Sequence, residues 1–371
     1  MNKTDRLIDE LTREIVANYR DIETELIYKV ALIWKNLQSH NGNLEHFLSM
    51  LEKLDILNTD TLNIISEITG KPLSVLEQDL KEIGYTSIDK DLFTKAYEKG
   101  LIAHIPSQDI IDNVINQQTV LLQKNINDIQ RNVTSGLYKQ TFKAISKAQL
   151  EVELGVKSPN QAIFEAVEEL ASKGVHTSAY LREGKEVHRS MEATVRMAVR
   201  TSFIQTVNNL QEDIAKDIGT EHWYVTQHLG ARTSGTGHQN HAQWQGAVYT
   251  DKEMVTKLGE GKVDGFAGIN CRHRKIIYIP GVSVTPPPRL EMEELERVYS
   301  LEQKQRRMER DIRKTKRIIH TLELLDSEEA NERVIDMKKR LRKQQAKVRK
   351  HVKSNEDVLR RDYTREKVIS P

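Results

Sequence analysis

The residues best suited to chemistry fall in two short polar clusters. One is His238-Gln239-Asn240-His241-Ala242-Gln243-Trp244-Gln245-Gly246; the other is Gly268-Ile269-Asn270-Cys271-Arg272-His273-Arg274. The only cysteine lies in the second, beside a histidine, and two of the three tryptophans, Trp223 and Trp244, fall just before or within the first. Imidazole and thiolate are donors that zinc takes four at a time in a tetrahedron, and H-x2-H with C-x-H supplies two close pairs: His238 with His241, and Cys271 with His273. A glycine-rich unit with few core residues would gain stability from such a clip. The spacing is not that of a standard finger, and His228 is a substitute donor. The plain alternative is a set of histidines that satisfy loop hydrogen bonds around a packed cysteine.

A catalytic reading is also open. Cys271 with His241 or His273 could form a nucleophile and its base, or His241 and His273 could centre a metal-dependent hydrolase or nuclease. No Ser/His/Asp order, carboxylate pair or Walker lysine accompanies them. Thr233-Ser234-Gly235-Thr236-Gly237 lacks the Gly-Lys-Ser and following helix of a phosphate-cradling loop. The sequence therefore favours binding over turnover, with no cofactor beyond the structural zinc left open above and no small-molecule substrate.

Several elements must position these clusters. Glu221–Gln227 and Lys275–Ile279 have the aromatic and β-branched content of strands, and Ala247–Thr250 could form a short third. Eight of the 18 glycines fall between Gly230 and Gly268, as expected of tight turns around a small mixed or antiparallel sheet. A helix from about Ser190 to Asp217 precedes it, with Met191, Val195, Ala198, Val199, Phe203, Val207, Leu210 and Ile214 on one stripe. Arg196 and Arg200 flank that stripe, where pairing with acidic neighbours is the plain expectation.

Most of the rest reads as charged helix. Ile8, Leu11, Ile15, Tyr19, Ile22, Leu26, Val30, Ile33 and Leu37 mark one long amphipathic helix, ended by Asn41-Gly42-Asn43. Shorter helices follow near Leu44–Leu54, Asp60–Thr69 and Pro72–Ile83. One more runs through Ile111 to Ile129, another covers Gly136–Leu154, and a third opens at Ser158-Pro159-Asn160. Gly184 marks a turn. Pro286-Pro287-Pro288 forms a stiff boundary. Beyond it, Leu301, Met308, Ile312, Thr315, Ile319 and Leu322 make one heptad seam, and Ala330, Val334, Met337, Leu341, Gln344 and Val348 a second. Asp326 and Glu329 match a capping box between them. The two seams suggest an antiparallel hairpin, or one bent helix in an intermolecular coiled coil, with a polar, frayed tail after Lys353.

The whole chain of 371 residues carries a formal charge of +2. From Glu302 to Lys353 there are 18 Lys and Arg against 9 Asp and Glu, which leaves the remainder near −7. Such a basic arm attracts polyanions and releases their counterions. Arg306, Arg307, Arg310, Arg313, Lys314, Arg317, Lys338, Lys339, Arg340, Arg342 and Lys343 are the candidate contacts to double-stranded DNA. With almost no aromatics to stack bases, contact would be non-specific and backbone-directed. A single cysteine forms no intrachain disulfide, the N-terminus lacks an apolar signal core, and no run of 18 apolar residues exists, so folding in a reducing cytoplasm without membrane contact is expected.

One ordered set of motifs resembles a known family. It comprises Val195-Arg196-Met197-Ala198-Val199-Arg200-Thr201 on a helix, a strand, Gly230-Ala231-Arg232, His241-Ala242-Gln243-Trp244-Gln245-Gly246 with Tyr249, and Asn270-Cys271-Arg272-His273. This is similar to the minor capsid (minor head) proteins of tailed bacteriophages, of the second minor capsid protein type. More distantly it resembles head-morphogenesis proteins typified by phage Mu protein F. The likeness is carried by about Gly174 to Gly281. It implies a virion component, synthesised in the bacterial cytoplasm, that binds the portal protein and inner capsid subunits and acts in head assembly or genome delivery. It marks Arg196, Arg200, His241, Trp244, Gly246, Cys271 and His273 as fold-defining. The insertion Thr233–Asn240 departs from the family pattern and sets His238 apart. The charged helices after Pro288 stand where some relatives carry a toxin or transferase domain.

The expected architecture is mainly α with a small α+β module. Residues 1–105 form a helical docking region, 106–175 long helices, 176–284 the α+β module, and 285–371 a basic helical hairpin or coiled-coil arm.

Overall fold

The computed structural model describes residues 3–38, 78, 81–182, 185–325 and 327–369. The helices expected over Leu44–Leu54 and Asp60–Thr69, most of that over Pro72–Ile83, and the turns at Asn41-Gly42-Asn43 and Gly184 lie outside these residues. The chain forms two compact units, each assembled from three stretches. The first comprises Met1–Ile15, Lys71–Ile126 and Arg196–Gln303; the second comprises Val16–Gly70, Asn127–Val195 and Lys304–Pro371.

Helices dominate, as the apolar periodicity requires. Helix α1 (Lys3–Gln38) buries Ile8, Ile15, Tyr19, Ile22, Leu26 and Val30, the stripe expected from steps of three and four. Helix α2 spans Lys90–Glu98, with Asp89 accepting from the Leu92 N–H as its cap. Helix α3 runs unbroken from Gln108 to Glu153. The sequence suggested two helices here, but Gly136 keeps helical backbone. One glycine costs a helix only about 1 kcal/mol relative to alanine, too little to end it. Helix α4 (Pro159–Lys173) starts where Ser158 accepts from the Gln161 N–H and Pro159 occupies the first turn.

In the first unit, β3 (His222–Val225) is the centre of a three-stranded antiparallel sheet, flanked by β4 (Val248–Thr250) and β5 (Lys275–Ile277). All three strands expected from the sequence are present. Helix α5 (Met191–Ile218) contributes Val199, Phe203, Val207, Leu210 and Ile214 to the core, all fully buried. Two polar side chains of α5 cover the open edge of β5: Asn208 accepts from the Lys275 N–H at 3.0 Å and Gln211 from the Ile277 N–H at 3.1 Å. An edge strand with unpaired N–H groups would otherwise template unwanted pairing. The three prolines do not release the chain from this unit. Gln227 donates to the Pro288 carbonyl and accepts from the Leu290 N–H, and Leu295 packs with Ala231 and Ala242.

The second unit holds a two-stranded antiparallel ribbon that the sequence reading missed, β1 (His176–Arg182) with β2 (Lys185–Ser190). It also holds the pairing of α8 (Met292–Leu325) with α9 (Glu328–Lys353). Met308 and Ile312 pack with Val348, while Glu323 pairs with Lys338 at 2.8 Å. Contacts join residues close in sequence near the turn and distant ones away from it, so the two helices are antiparallel. The cap of α9 is Ser327, which accepts from the Ala330 N–H; Asp326, expected as the cap, lies outside the described residues. The tail after Lys353, expected to fray, is packed: Leu359 and Glu366 are buried, and Arg361 holds both oxygens of Glu366 at 2.7 Å. Gln305 and Lys316 donate to the tail carbonyls of Arg360 and Glu366. Charge-assisted pairing anchors it, which hydrophobic periodicity cannot reveal.

Candidate functional site

The two polar clusters meet in the first unit. A single helical turn, α6 (His241–Trp244), follows the 3-10 turn Gly237–Gln239 and presents His241. The loop Gly268–Arg274 enters β5 and presents Cys271 and His273. One donor atom from each of His241, Cys271 and His273 lies within 4.8 Å of the others, and all three residues are buried. Among the described residues this is the one such group of His, Cys, Asp and Glu. His238 is not in it. Its ring hydrogen-bonds the Asp264 carboxylate at 3.0 Å, and Gln239 donates to the other oxygen at 2.7 Å. Those two bonds hold the Asp264 carboxyl below its ordinary pKa.

Backbone geometry forces this convergence. Gly246 turns the chain after α6 at φ +76, where a Cβ would sit 2.6 Å from the Gln227 side-chain oxygen. Gly265 closes a loop so tight that a Cβ would meet the Gly259 carbonyl at 2.2 Å. Arg232 reaches into that loop and donates to the carbonyls of Asp264 and Ile269, both at 3.3 Å.

Trp244 walls the cluster. Its ring centroid lies 4.6 Å from that of His241 and 4.7 Å from that of His273, its indole N–H donates to the His238 carbonyl, and Tyr249 donates to its own carbonyl. His228 stacks on His273 at 4.5 Å. Burial pushes the His241 and His228 imidazoles down to about 4 and the His273 imidazole well below its ordinary value. All three rings are neutral at pH 7. Burial also pushes the Cys271 thiol up to about 11.

These environments bear on the chemistry. A nucleophilic cysteine needs a stabilised thiolate and access to substrate. Cys271 has neither, being 1% exposed and protonated. His241 and His273, 3% and 1% exposed, cannot meet a phosphodiester without opening of the loop. What the arrangement can do is pack, or hold an ion.

The other residues singled out from the sequence have separate settings. Arg200 is buried on α5 and pairs with Asp9 at 3.3 Å, as the plain reading expected, while Arg196 is half-buried on the same helix. Of the basic candidates, Arg313 pairs with Glu192 at 2.5 Å, and Arg317 with Glu23 at 2.8 Å and with the Ala171 carbonyl. Lys338 and Lys339 pair with Glu323 and Asp336, and Arg306 is half-buried. Arg307, Arg310, Lys314, Arg340, Arg342 and Lys343 are exposed. The site residues that the sequence reading passed over are Gln245, Asp264 and Arg232. Gln245 and Arg232 stood inside quoted motifs, but nothing in Asp264 itself signals a backbone carbonyl that a histidine needs.

The phage minor capsid protein 2 family model matches residues 4–353. A "Structural protein" of Lactococcus phage LL-H is 25% identical over 309 residues, 79% of each chain. A "Structural protein" of Lactococcus phage mv4 is 34% identical over 116 residues, which is 31% of this chain and 91% of that protein. No solved structure matches.

Proposed function

This chain belongs to the phage minor capsid protein 2 family, and from that premise we propose that it is a virion component that docks on the portal and inner head shell and holds packaged DNA through one face of α9. Arg340, Lys343, Lys347 and Lys350 carry this reading. They are exposed and recur at steps of three, four and three, so they line one side of the helix over about 15 Å. Arg313 and Arg317, which the sequence also offered for DNA, are engaged in ion pairs and are left out of the contact. No described helix is long and apolar enough to cross a membrane.

Ile8, Ile15, Tyr19, Ile22, Leu26 and Val30 of the α1 stripe are buried inside the chain, so docking through this part of α1 uses its polar face. Binding, with no turnover, is the proposed mechanism, in keeping with the buried thiol and imidazoles.

Fluorescence anisotropy of duplex DNA against salt tests the DNA contact. Neutralising phosphates gives a log–log slope of about −0.9 per contact. Replacing Arg340, Lys343, Lys347 and Lys350 together by Gln should flatten that slope by about 3.6 units, whatever the DNA sequence. An unchanged isotherm would refute the contact. Absence of the protein from purified particles, or its failure to co-sediment with portal rings, would refute the docking role.

A further inference from the structure

Hydrogen bonds fix the tautomers of the buried histidines. A carbonyl oxygen only accepts, so His241, 3.0 Å from the Asp264 carbonyl through Nε2, carries its proton there and leaves Nδ1 bare. Gln245 Oε1 accepts from the His228 backbone N–H at 3.0 Å, which orients its amide. The same oxygen lies 2.9 Å from His273 Nε2, so that nitrogen also bears the proton and His273 Nδ1 is bare. It faces Cys271 Sγ at 3.5 Å. Two neutral imidazoles thus give their outer N–H to carbonyl oxygens and keep a lone pair on the inner nitrogen, beside a sulfur. Metal-ligating histidines are oriented in this way.

A second observation is independent. His228 Nδ1 donates to the Leu229 carbonyl at 2.9 Å, which leaves Nε2 as an acceptor. That atom is buried and has no hydrogen-bond partner among the described residues, although its ring stacks on His273. A buried polar atom left unpaired costs about 1–3 kcal/mol.

We propose that His241 Nδ1, Cys271 Sγ and His273 Nδ1 bind a zinc-class divalent ion that ties the Gly268–Arg274 loop to the turn at His241–Trp244. On binding, the thiol proton leaves to solvent and a metal–sulfur bond forms. A tetrahedral ion keeps one further position; His228 stacks on His273 but lies outside the three-residue donor set, so that position falls to a water or another ligand. Burial suits a structural ion, since bulk solvent has little access to the set.

Full-length protein purified without a metal-affinity tag and analysed for metals should carry about one zinc per chain. Exchange into cobalt should give a thiolate-to-metal absorption band that is absent in Cys271→Ser. Chelation should lower the melting temperature, and added zinc should restore it. Gln245→Ala, which removes the oxygen that orients His273, should weaken zinc binding about tenfold to a hundredfold. Should wild-type protein, folded by circular dichroism, hold under about a tenth of an equivalent of zinc and develop no cobalt–thiolate band, the site does not exist. That result would leave the capsid role untouched, since DNA and portal binding are read separately.

Discussion

Lys275 shows how a single side chain can be read from its surroundings. It opens β5, yet its side chain is 3% exposed and its ammonium lies 2.5 Å from Glu212, 2.7 Å from Glu260 and 4.6 Å from the centre of the Trp223 ring. Removing one partner of a buried ion pair leaves the other charge uncompensated, at a cost of about 3–5 kcal/mol. Lys275→Met should therefore lower the denaturation midpoint sharply, and Glu260→Gln should recover part of the loss; a midpoint within error of wild type would refute this. Glu309 offers a test in pH. Burial raises its carboxyl pKa against the opposing pull of Arg365, the Gln305 hydrogen bond and Arg313, with Glu366 adding to the rise. A carboxyl raised on folding binds its proton more tightly in the native state, so its contribution to stability falls as pH climbs from the ordinary carboxylate range through the raised value. Glu309→Gln should flatten the stability profile over that window in chemical denaturation, and an equally steep profile would exclude the assignment.

Elements with a clean apolar period were legible, and those built from polar contacts were not. Ile8 through Val30 on α1 and Met191 through Ile214 on α5 could be placed from spacing alone, because burial follows the helical repeat. The ribbon of β1 and β2 could not, since His-Thr-Ser-Ala-Tyr-Leu-Arg and Lys-Glu-Val-His-Arg-Ser carry no apolar alternation. For the site, residue types pointed to His241, Cys271 and His273. Only the loop geometry set by Gly246 and Gly265 shows that these three meet while His238 turns to Asp264. The α8–α9 pairing was half-legible: two seams were visible, but not whether one chain closed them. Ile312, fully buried against Val348, provides the check. Ile312→Ala should cost about 2–5 kcal/mol, and a double-mutant cycle with Val348→Ala should show coupling above about 0.5 kcal/mol. Strict additivity would mean that the two do not touch in solution.

On the scale of the whole chain, the near-neutral total hides a division between charges held inside and charges shown outside. In the second unit Arg317, Arg313 and Arg361 are satisfied by Glu23, Glu192 and Glu366, whereas the cations of α9 from Arg340 onward stand exposed. The family match stops at residue 353, yet the following tail belongs to that inner set. Leu359 is 2% exposed, and Gln305 and Lys316 donate to tail carbonyls. Truncation after Lys353 removes these partners together and strands Gln305, Glu309 and Lys316, half-buried or buried, without them. Each lost buried polar contact costs about 1–3 kcal/mol. The truncated chain should therefore lose several degrees of melting temperature and expose amides of α8 near Gln305–Lys316 to faster hydrogen exchange. The exposed face of α9 is untouched by the cut, so salt-dependent DNA binding should persist at temperatures below the lowered transition. Unchanged exchange in α8 would mean that the tail merely lies on the surface. Loss of DNA binding with α8 protection intact would move the polyanion contact from α9 to the tail.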